Sequence, residues 1–264
     1  MHKRGSVSLG SWDAAISAST ANIGTNETTF SGVNDFSQFL VSAASVKIAP
    51  KVFLEGAYTG TMMQDSLRAK NLIPDEEPYS ALGFGGFGNI CLSPAVKSVT
   101  GNNAIVDWVF LELRDKNNST TVIQTQTALV QRDGDIVSVV DGSSPVPIGV
   151  VNDDYFVVIR HRNHIGVMSP TALTLSGTST VIDFTSGSAF GTNAQKDLGG
   201  SIFGMWSTDA NASGTIDAAD RAAVWNKRSE TIYQQSDTNM DGEVDSADQT
   251  KVWDNRNVVG QVPK

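Results

Sequence analysis

The chain has 264 residues, 40% of them hydrophobic and 18% charged, with 24 glycines and a formal net charge of −9. That is enough chain for one large β domain or two ordinary ones, and too apolar for a disordered tail. The acidic balance argues against nucleic acid or an anionic membrane surface as a partner. The single cysteine, Cys91, excludes an intramolecular disulfide. No apolar run approaches the length of a membrane span. Met1-His2-Lys3-Arg4-Gly5 lacks the apolar stretch of a secretory signal, which leaves a cytoplasmic protein or a piece of a longer secreted precursor.

Residues 1–48 read as short strands that end an upstream domain or form an assembly edge. Ser6-Val7-Ser8-Leu9 alternates, Ala14–Ala18 is small and mixed, and Phe30, Val33, Phe36 and Phe39-Leu40-Val41 are the apolar anchors. Residues 49–200 read as a β-sandwich domain. Lys51–Gly56 is a strong strand, residues 61–73 suit a short helix or a loop, and Pro74, Pro78 and Gly83–Gly88 mark a long irregular connection. Ile105–Arg114 is apolar on both faces near its middle, as a central strand requires. Thr120–Gln126 and Ala128–Arg132 follow as strands, and Arg132-Asp133-Gly134-Asp135 is a hairpin turn. Ile136–Val140, Tyr155–Arg162, Val167 and Leu173-Thr174-Leu175 complete the set.

Residues 201–264 form the third segment, and here the pattern changes. Thr208–Arg228 and Ser236–Arg256 repeat at a period of 28 residues, with nine of 21 aligned positions identical. A calcium ion takes about six to eight hard oxygens, which a loop of about twelve residues supplies at positions 1, 3, 5, 7, 9 and 12. In the first loop these are Asp209, Asn211, Ser213, the carbonyl of Thr215, Asp217 and Asp220. In the second they are Asp237, Asn239, Asp241, the carbonyl of Glu243, Asp245 and Asp248. Gly214 and Gly242 stand where the chain must turn sharply with positive φ. Two Ca²⁺ ions are therefore expected, the second bound more tightly because four aspartates hold it against three. Ile216 and Val244 are placed to join the loops by a short β contact. Ala218–Lys227 and Ser246–Asn255 read as helices, each with an inner stripe of Ala219 or Ala247 and the pair Val224-Trp225 or Val252-Trp253.

This paired pattern, over residues 207–260, resembles the dockerin domain, whose loops read D-x-N-x-D-G-x-I/V-N/D-x-x-D. In that family the residues at positions 10 and 11 usually contact a cohesin partner. Here they are Ala218-Ala219 and Ser246-Ala247, small enough to be buried. The segments at 52–58, 72–79, 106–115 and 155–169, together with Phe30–Phe39, resemble a C-terminal β module of large secreted cell-surface proteins of Bacteroidetes-type bacteria. That resemblance implies an extracellular protein and a start that is a cut.

Other chemistries fit less well. His161 and His164 are three apart, so on one strand their imidazoles would point to opposite faces and not converge on a metal. The pair instead suits a strand end or turn. Gly83–Gly88 lacks the Lys-Ser/Thr of a phosphate cradle. Glu76-Glu77 and Asp153-Asp154 are adjacent acids that read as solvated turns and cannot flank one glycosidic bond. No Gly-x-Ser-x-Gly elbow occurs. Trp12, Trp108, Trp206, Tyr58 and Tyr79 could form a sugar platform, although Trp108 suits the core, as Trp225 and Trp253 do. The resulting expectation is a non-catalytic, calcium-rigidified structural, adhesion or assembly module. Its alternatives are a polysaccharide-binding module of a larger enzyme, or a subunit that polymerises by strand addition.

Overall fold

A computed structural model describes residues 44–85 and 90–264, together with the backbone of four short strands nearer the start. Contacts divide the chain into two compact units, Met1–Ala44 and Ser45–Lys264. In the first, strand β1 (His2–Arg4) pairs antiparallel with β4 (Gln38–Leu40), and β2 (Thr20–Asn22) with β3 (Glu27–Thr29). The expected anchors Phe30, Val33 and Phe36, the segments Ser6–Leu9 and Ala14–Ala18, Trp12, and Gly86–Gly88 lie outside the described residues.

The second unit is mainly β, in keeping with a sandwich-type body. Its strands are β5 (Val46–Lys51), β6 (Phe53–Leu54), β7 (Ile105–Asp115), β8 (Asn118–Gln131), β9 (Ile136–Val137), β10 (Val146–Ile148), β11 (Asp153–His161), β12 (His164–Met168), β13 (Leu173–Leu175), β14 (Ser179–Asp183), β15 (Lys196–Gly199) and β16 (Ile202–Met205). Its helices are α1 (Ser66–Ala69), α2 (Pro94–Lys97), α3 (Ala218–Lys227) and α4 (Ser246–Asp254). The main sheet runs β12-β11-β7-β8-β9, with β13 on β11. Two three-stranded sheets, β10-β5-β14 and β15-β16-β6, feed the same core.

Strand β7 is the centre, buried in all but its last residue. One of its faces is covered by the irregular segment before it rather than by strands. The Trp108 indole donates to the Pro74 carbonyl at 3.1 Å, the Tyr79 hydroxyl donates to the Trp108 carbonyl at 2.8 Å, and the rings of Tyr79, Phe84 and Phe110 pack within 6 Å of one another. Aromatic burial with satisfied polar tips explains why a loop rich in proline and glycine holds one path here. The 120–132 region is one long strand, β8, and its hairpin to β9 turns at Gly134 with φ +93°. Residues 61–73 form only the single turn α1. Asp153-Asp154 open β11 rather than a loop, and Glu77 is buried, accepting from the Tyr79 and Ser80 amides.

Trp108→Ala removes the largest side chain of this core and its indole hydrogen bond to Pro74, while the Tyr79 bond to the residue 108 carbonyl remains. It should cost about 3–5 kcal/mol and lower the melting temperature by roughly 10 °C or more in a thermal scan.

Candidate metal centre

The two repeats fold as the sequence repeat demands, each a loop followed by a helix. Gly214 and Gly242 take φ of +83° and +90°, and the residues two before them, Ala212 and Met240, are also left-handed. In the first loop the Asp209 carboxylate accepts the amides of Ser213 at 2.8 Å and Gly214 at 2.9 Å. In the second, Asp237 accepts those of Asp241 at 3.2 Å and Gly242 at 2.9 Å. Position 9 caps the helix, with Asp217 accepting the Ala219 amide and Asp245 the Ala247 amide, both at 2.7 Å. Position 12 completes a capping box, Asp220 and Asp248 accepting the amides of Asp217 and Asp245 at 2.8 and 2.9 Å. Helix and loop are thereby one unit.

Positions 1 and 12 bring two carboxylates into each loop interior. All four residues are buried, and among the described residues none forms an ion pair. Burial raises Asp209 to about 6, with the Asp220 charge adding to the effect. Burial likewise raises Asp237 to about 7, with Asp248 adding and the Arg162 guanidinium opposing. Asp220 and Asp248 are raised too, first by burial. The other expected donors are less converged. Asn211 and Asn239 hold the amides two residues on, Asp241 takes the Glu243 amide and the Asn239 side chain, and the Glu243 side chain leaves the loop for Lys70 at 2.8 Å. Ser213 donates its hydroxyl to the Thr215 carbonyl at 3.1 Å, so positions 5 and 7 of the first loop do meet. Asp217 and Asp245 are exposed, which suits a position that reaches calcium through water. Among the described residues, no three His, Cys, Asp or Glu side chains stand close enough to hold a metal ion. Each loop thus holds a pair of buried carboxylates outside any ion pair, with amide, hydroxyl and carbonyl oxygens around them, and only Asp237 feels a nearby guanidinium, that of Arg162.

Three expectations are corrected. Trp225 and Trp253 point outward, 52% and 56% exposed, and each is stacked by an arginine, Arg228 at 4.3 Å and Arg256 at 4.2 Å. Consecutive helical residues cannot share one face, and the inner face is already taken by Asp220 with Val224 and by Asp248 with Val252. For the same reason Ala218, Ala219, Ser246 and Ala247 are exposed rather than inside. The loops do not pair at position 8. The Ile216 amide and carbonyl bond to Val258 and Asn257, while those of Val244 bond to Glu230 and Ser229. Each loop therefore pairs with the segment following the other helix, and the side chains meet in a small core with Ile165, Val224, Val252 and Val258.

Sequence reasoning missed what holds these loops. His161 and His164 do converge, because Arg162-Asn163 is the two-residue turn of the β11–β12 hairpin and the histidines are its facing pair. Their rings meet edge to face at a centroid distance of 4.7 Å. The His164 Nε2 accepts the Gly56 amide at 3.1 Å, which places its proton on Nδ1, facing Asn163 Oδ1 at 2.8 Å and His161 Nδ1 at 3.0 Å. His161 Nε2 then donates to Asp107 at 3.2 Å. Burial holds both imidazoles below their usual range, so both are neutral. Burial would raise Asp107, but Arg162, His161 and Tyr233 outweigh it and hold the carboxyl at about 2. At the turn itself, the Asn163 carbonyl takes the amides of Thr208 at 2.9 Å and Asp209 at 3.1 Å. Its side-chain amide donates to the carbonyls of Gln235 at 3.0 Å and Asp237 at 2.7 Å. One residue grips position 1 of both loops.

No protein-family model and no curated protein matches the chain. Among solved structures it is similar to a chain in the crystal structure of a C-terminal interface mutant of a type II cohesin–X-dockerin complex from Acetivibrio cellulolyticus. That likeness has a TM-score of 0.36 and 18% identity, over 58% of this chain and 82% of that one. An N-terminal interface mutant of the same type of complex gives 0.37 and 14%, over 83% and 98%. At this level of likeness the site rests on the chain's own residues.

The raised aspartates fix a sign. In the cation-free chain the folded state keeps their protons to higher pH than the unfolded state does, so they cost stability as pH rises from about 4, and the cost is complete above about 7. In chelator, Asp237→Asn should therefore leave stability unchanged near pH 4 and raise it by roughly 1–3 kcal/mol at pH 8, read by urea denaturation.

Proposed function

We propose that this chain is a non-catalytic, extracellular structural and assembly module whose paired loops take up two Ca²⁺ ions that stiffen them against the β body. The observation that carries the reading is the duplicated carboxylate pair. Asp209 with Asp220, and Asp237 with Asp248, are buried without an ion pair, beside a glycine turn whose amides hold the first acid in place. A divalent cation would neutralise each pair, and Asn211, Ser213, Asp217, Asn239, Asp241, Asp245 and the carbonyls of Thr215 and Glu243 are the oxygens available to complete its shell. Filling every position with protein or water oxygen suits an organising ion, whereas a catalytic metal keeps a position open for substrate. The extracellular setting follows from the resemblance to secreted modules, where millimolar calcium is at hand. The dockerin-like repeat adds a protein partner, for which Ala218-Ala219 and Ser246-Ala247 lie exposed at the start of each helix.

Calcium should raise stability by mass action, about 2.7 kcal/mol per site at a hundredfold excess over Kd. Thermal melts in calcium and in chelator check this, and superimposable curves would refute the metal reading. Calorimetric titration should resolve two ions, with Asp237→Ala deleting the tighter and Asp209→Ala the weaker. Because Asn163 holds both loops, Asn163→Ala should weaken both ions together, by about tenfold each. Loss at one site alone would show that the turn does not couple them.

A further inference from the structure

Among the described residues of the second unit, the sheet edges are guarded with one exception. Strands β6 and β9 are two residues long, β10 and β13 three, with Pro147 in β10, while β14 ends in Asp183 and β15 carries Lys196 and Asp197. The free side of β12 is covered, the Ile165 amide donating to the Trp206 carbonyl and the Phe190 amide to the Met168 carbonyl, both at 2.8 Å. Short length, proline, charge and cover all keep a sheet edge from pairing with another chain. Strand β8 is long and has neither charge nor proline. We propose that its outer edge is a self-association surface, on which β8 of a second copy pairs antiparallel and joins two main sheets into one.

The residues of β8 make that edge fit for pairing. Asn118–Gln131 reads NSTTVIQTQTALVQ, rich in β-branched residues that favour an extended chain. Strand β7 takes one side of it along its length, whereas on the other side β9 reaches only Leu129 and Val130. The first residues are occupied, the Ser119 carbonyl by Arg114 Nη1 at 2.7 Å and the Asn118 side chain by the hydroxyls of Thr120 and Thr121. From Thr121 to Gln126 the described residues place no strand across the outer side, and no backbone hydrogen bond leaves it beyond the ladder to β7. That open stretch is roughly 20 Å long at about 3.3 Å per residue. The ladder to β7 shifts register on either side of Val122, and there Val122 and Ile123 stand 45% and 44% exposed. This bulge is the one guard β8 carries, and two apolar side chains lie at the surface beside it.

A second copy suits this edge for three reasons. A two-fold axis normal to the sheet sets an antiparallel strand against itself, so any charge in the run would face its own sign. A run without charge imposes no such repulsion, although each copy carries a net −9. Threonine beside threonine, and valine or isoleucine beside the same, are favourable cross-strand neighbours, and an axis near Ile123 lets the exposed Val122 and Ile123 of the two copies cover each other. The other strands that a neighbour has to donate, β1 to β4, are already paired with one another. The contact is isologous and therefore closes as a dimer. A single pair of strand edges is small beside the about 1,600 Å² of a standard interface, so the dimer is a weak one, with a Kd of about 10–100 µM. This pairing does not depend on what the paired loops bind.

The test is sedimentation equilibrium of the full chain in calcium buffer, which should show monomer passing to dimer across about 10–100 µM. Val122→Lys sets like charges beside the axis at a side chain already exposed in the monomer. It should weaken the dimer by about tenfold or more while the circular dichroism of the chain stays the same. In a Cys91→Ser background, Ile123→Cys should cross-link to its own copy under mild oxidation, and Val181→Cys, 75% exposed on β14, should not. A chain that stays monomeric to about ten times the upper end of that range overturns the proposal. So does a dimer of undiminished strength in Val122→Lys, the growth of open polymers in place of a dimer, or an Ile123→Cys variant that cross-links no faster than Val181→Cys.

Discussion

Four of the hydrogen bonds of Asn163 run to the starts of two different loops. It sits in a two-residue turn, its backbone carbonyl accepting from Asp209 and its side-chain amide donating to the Asp237 carbonyl. The turn is anchored in its own right. Arg162 is buried, with Nε on Asp107 at 2.9 Å, Nη1 on the Gln234 carbonyl and its guanidinium 4.3 Å from the Tyr233 ring centroid. Tyr233 itself donates to Asp107 at 2.7 Å. These bonds tie the turn to Asp107 on the central strand and to the segment before the second loop, although Arg162 Nη2 and Gln234 Nε2 are buried without a partner. Much of the C-terminal geometry hangs from it.

Other ties act in the same direction. Glu55, next to β6, is largely buried and accepts from Ser207 at the joint and from the Asn255 side chain at the end of α4, at 2.6 Å in the latter case. Lys196 and Lys251 stand near its other oxygen at 3.8 and 3.7 Å. Met240, inside the second loop, belongs to the core of the body, and Gln64 donates to the Asn239 carbonyl at 2.8 Å. Gly56 shows how tight the fit is. A Cβ there would lie 2.1 Å from the Thr238 carbonyl oxygen, which no side chain could tolerate. The loops are thus an extension of the body core rather than a bead on a tether, and a charge change in a loop is felt where the sheets meet.

That arrangement gives the buried aspartates their meaning. Four carboxylates in the interior of a marginally stable fold would be a liability if they stayed unneutralised. Placed in pairs, with amides holding one member and a helix cap holding the other, they form a frame that a cation would convert from cost to gain. The outward tryptophans follow from the same choice of face. With the inner faces filled by acid and valine, Trp225 and Trp253 are left on the outer faces under Arg228 and Arg256.

The repeat itself was legible in the sequence as two loop–helix units, because turn and helix signals are local properties. A turn glycine acts over a single loop, and Gly214 and Gly242 take the positive φ and the helices follow the loops as the repeat implied, whereas the helix-capping by Asp217 and Asp245 was not read from it. The central strand was legible for a similar reason, since only a strand covered on both sides can be apolar on both, as Ile105–Arg114 is. Which helix face turns inward was not legible from a Val-Trp pair, because adjacent residues diverge and the choice lay with what the loop carboxylates had already claimed. The cross-pairing of Ile216 with Val258 and of Val244 with Glu230 depended on how the two repeats dock. The sequence placed His161 and His164 at a strand end or turn, as they are, but that a turn there makes them a facing pair with rings in contact emerged only in the fold. Asn163 was invisible for the same reason: its partners lie some 45 to 75 residues further along the chain, and only folding could bring them to one turn.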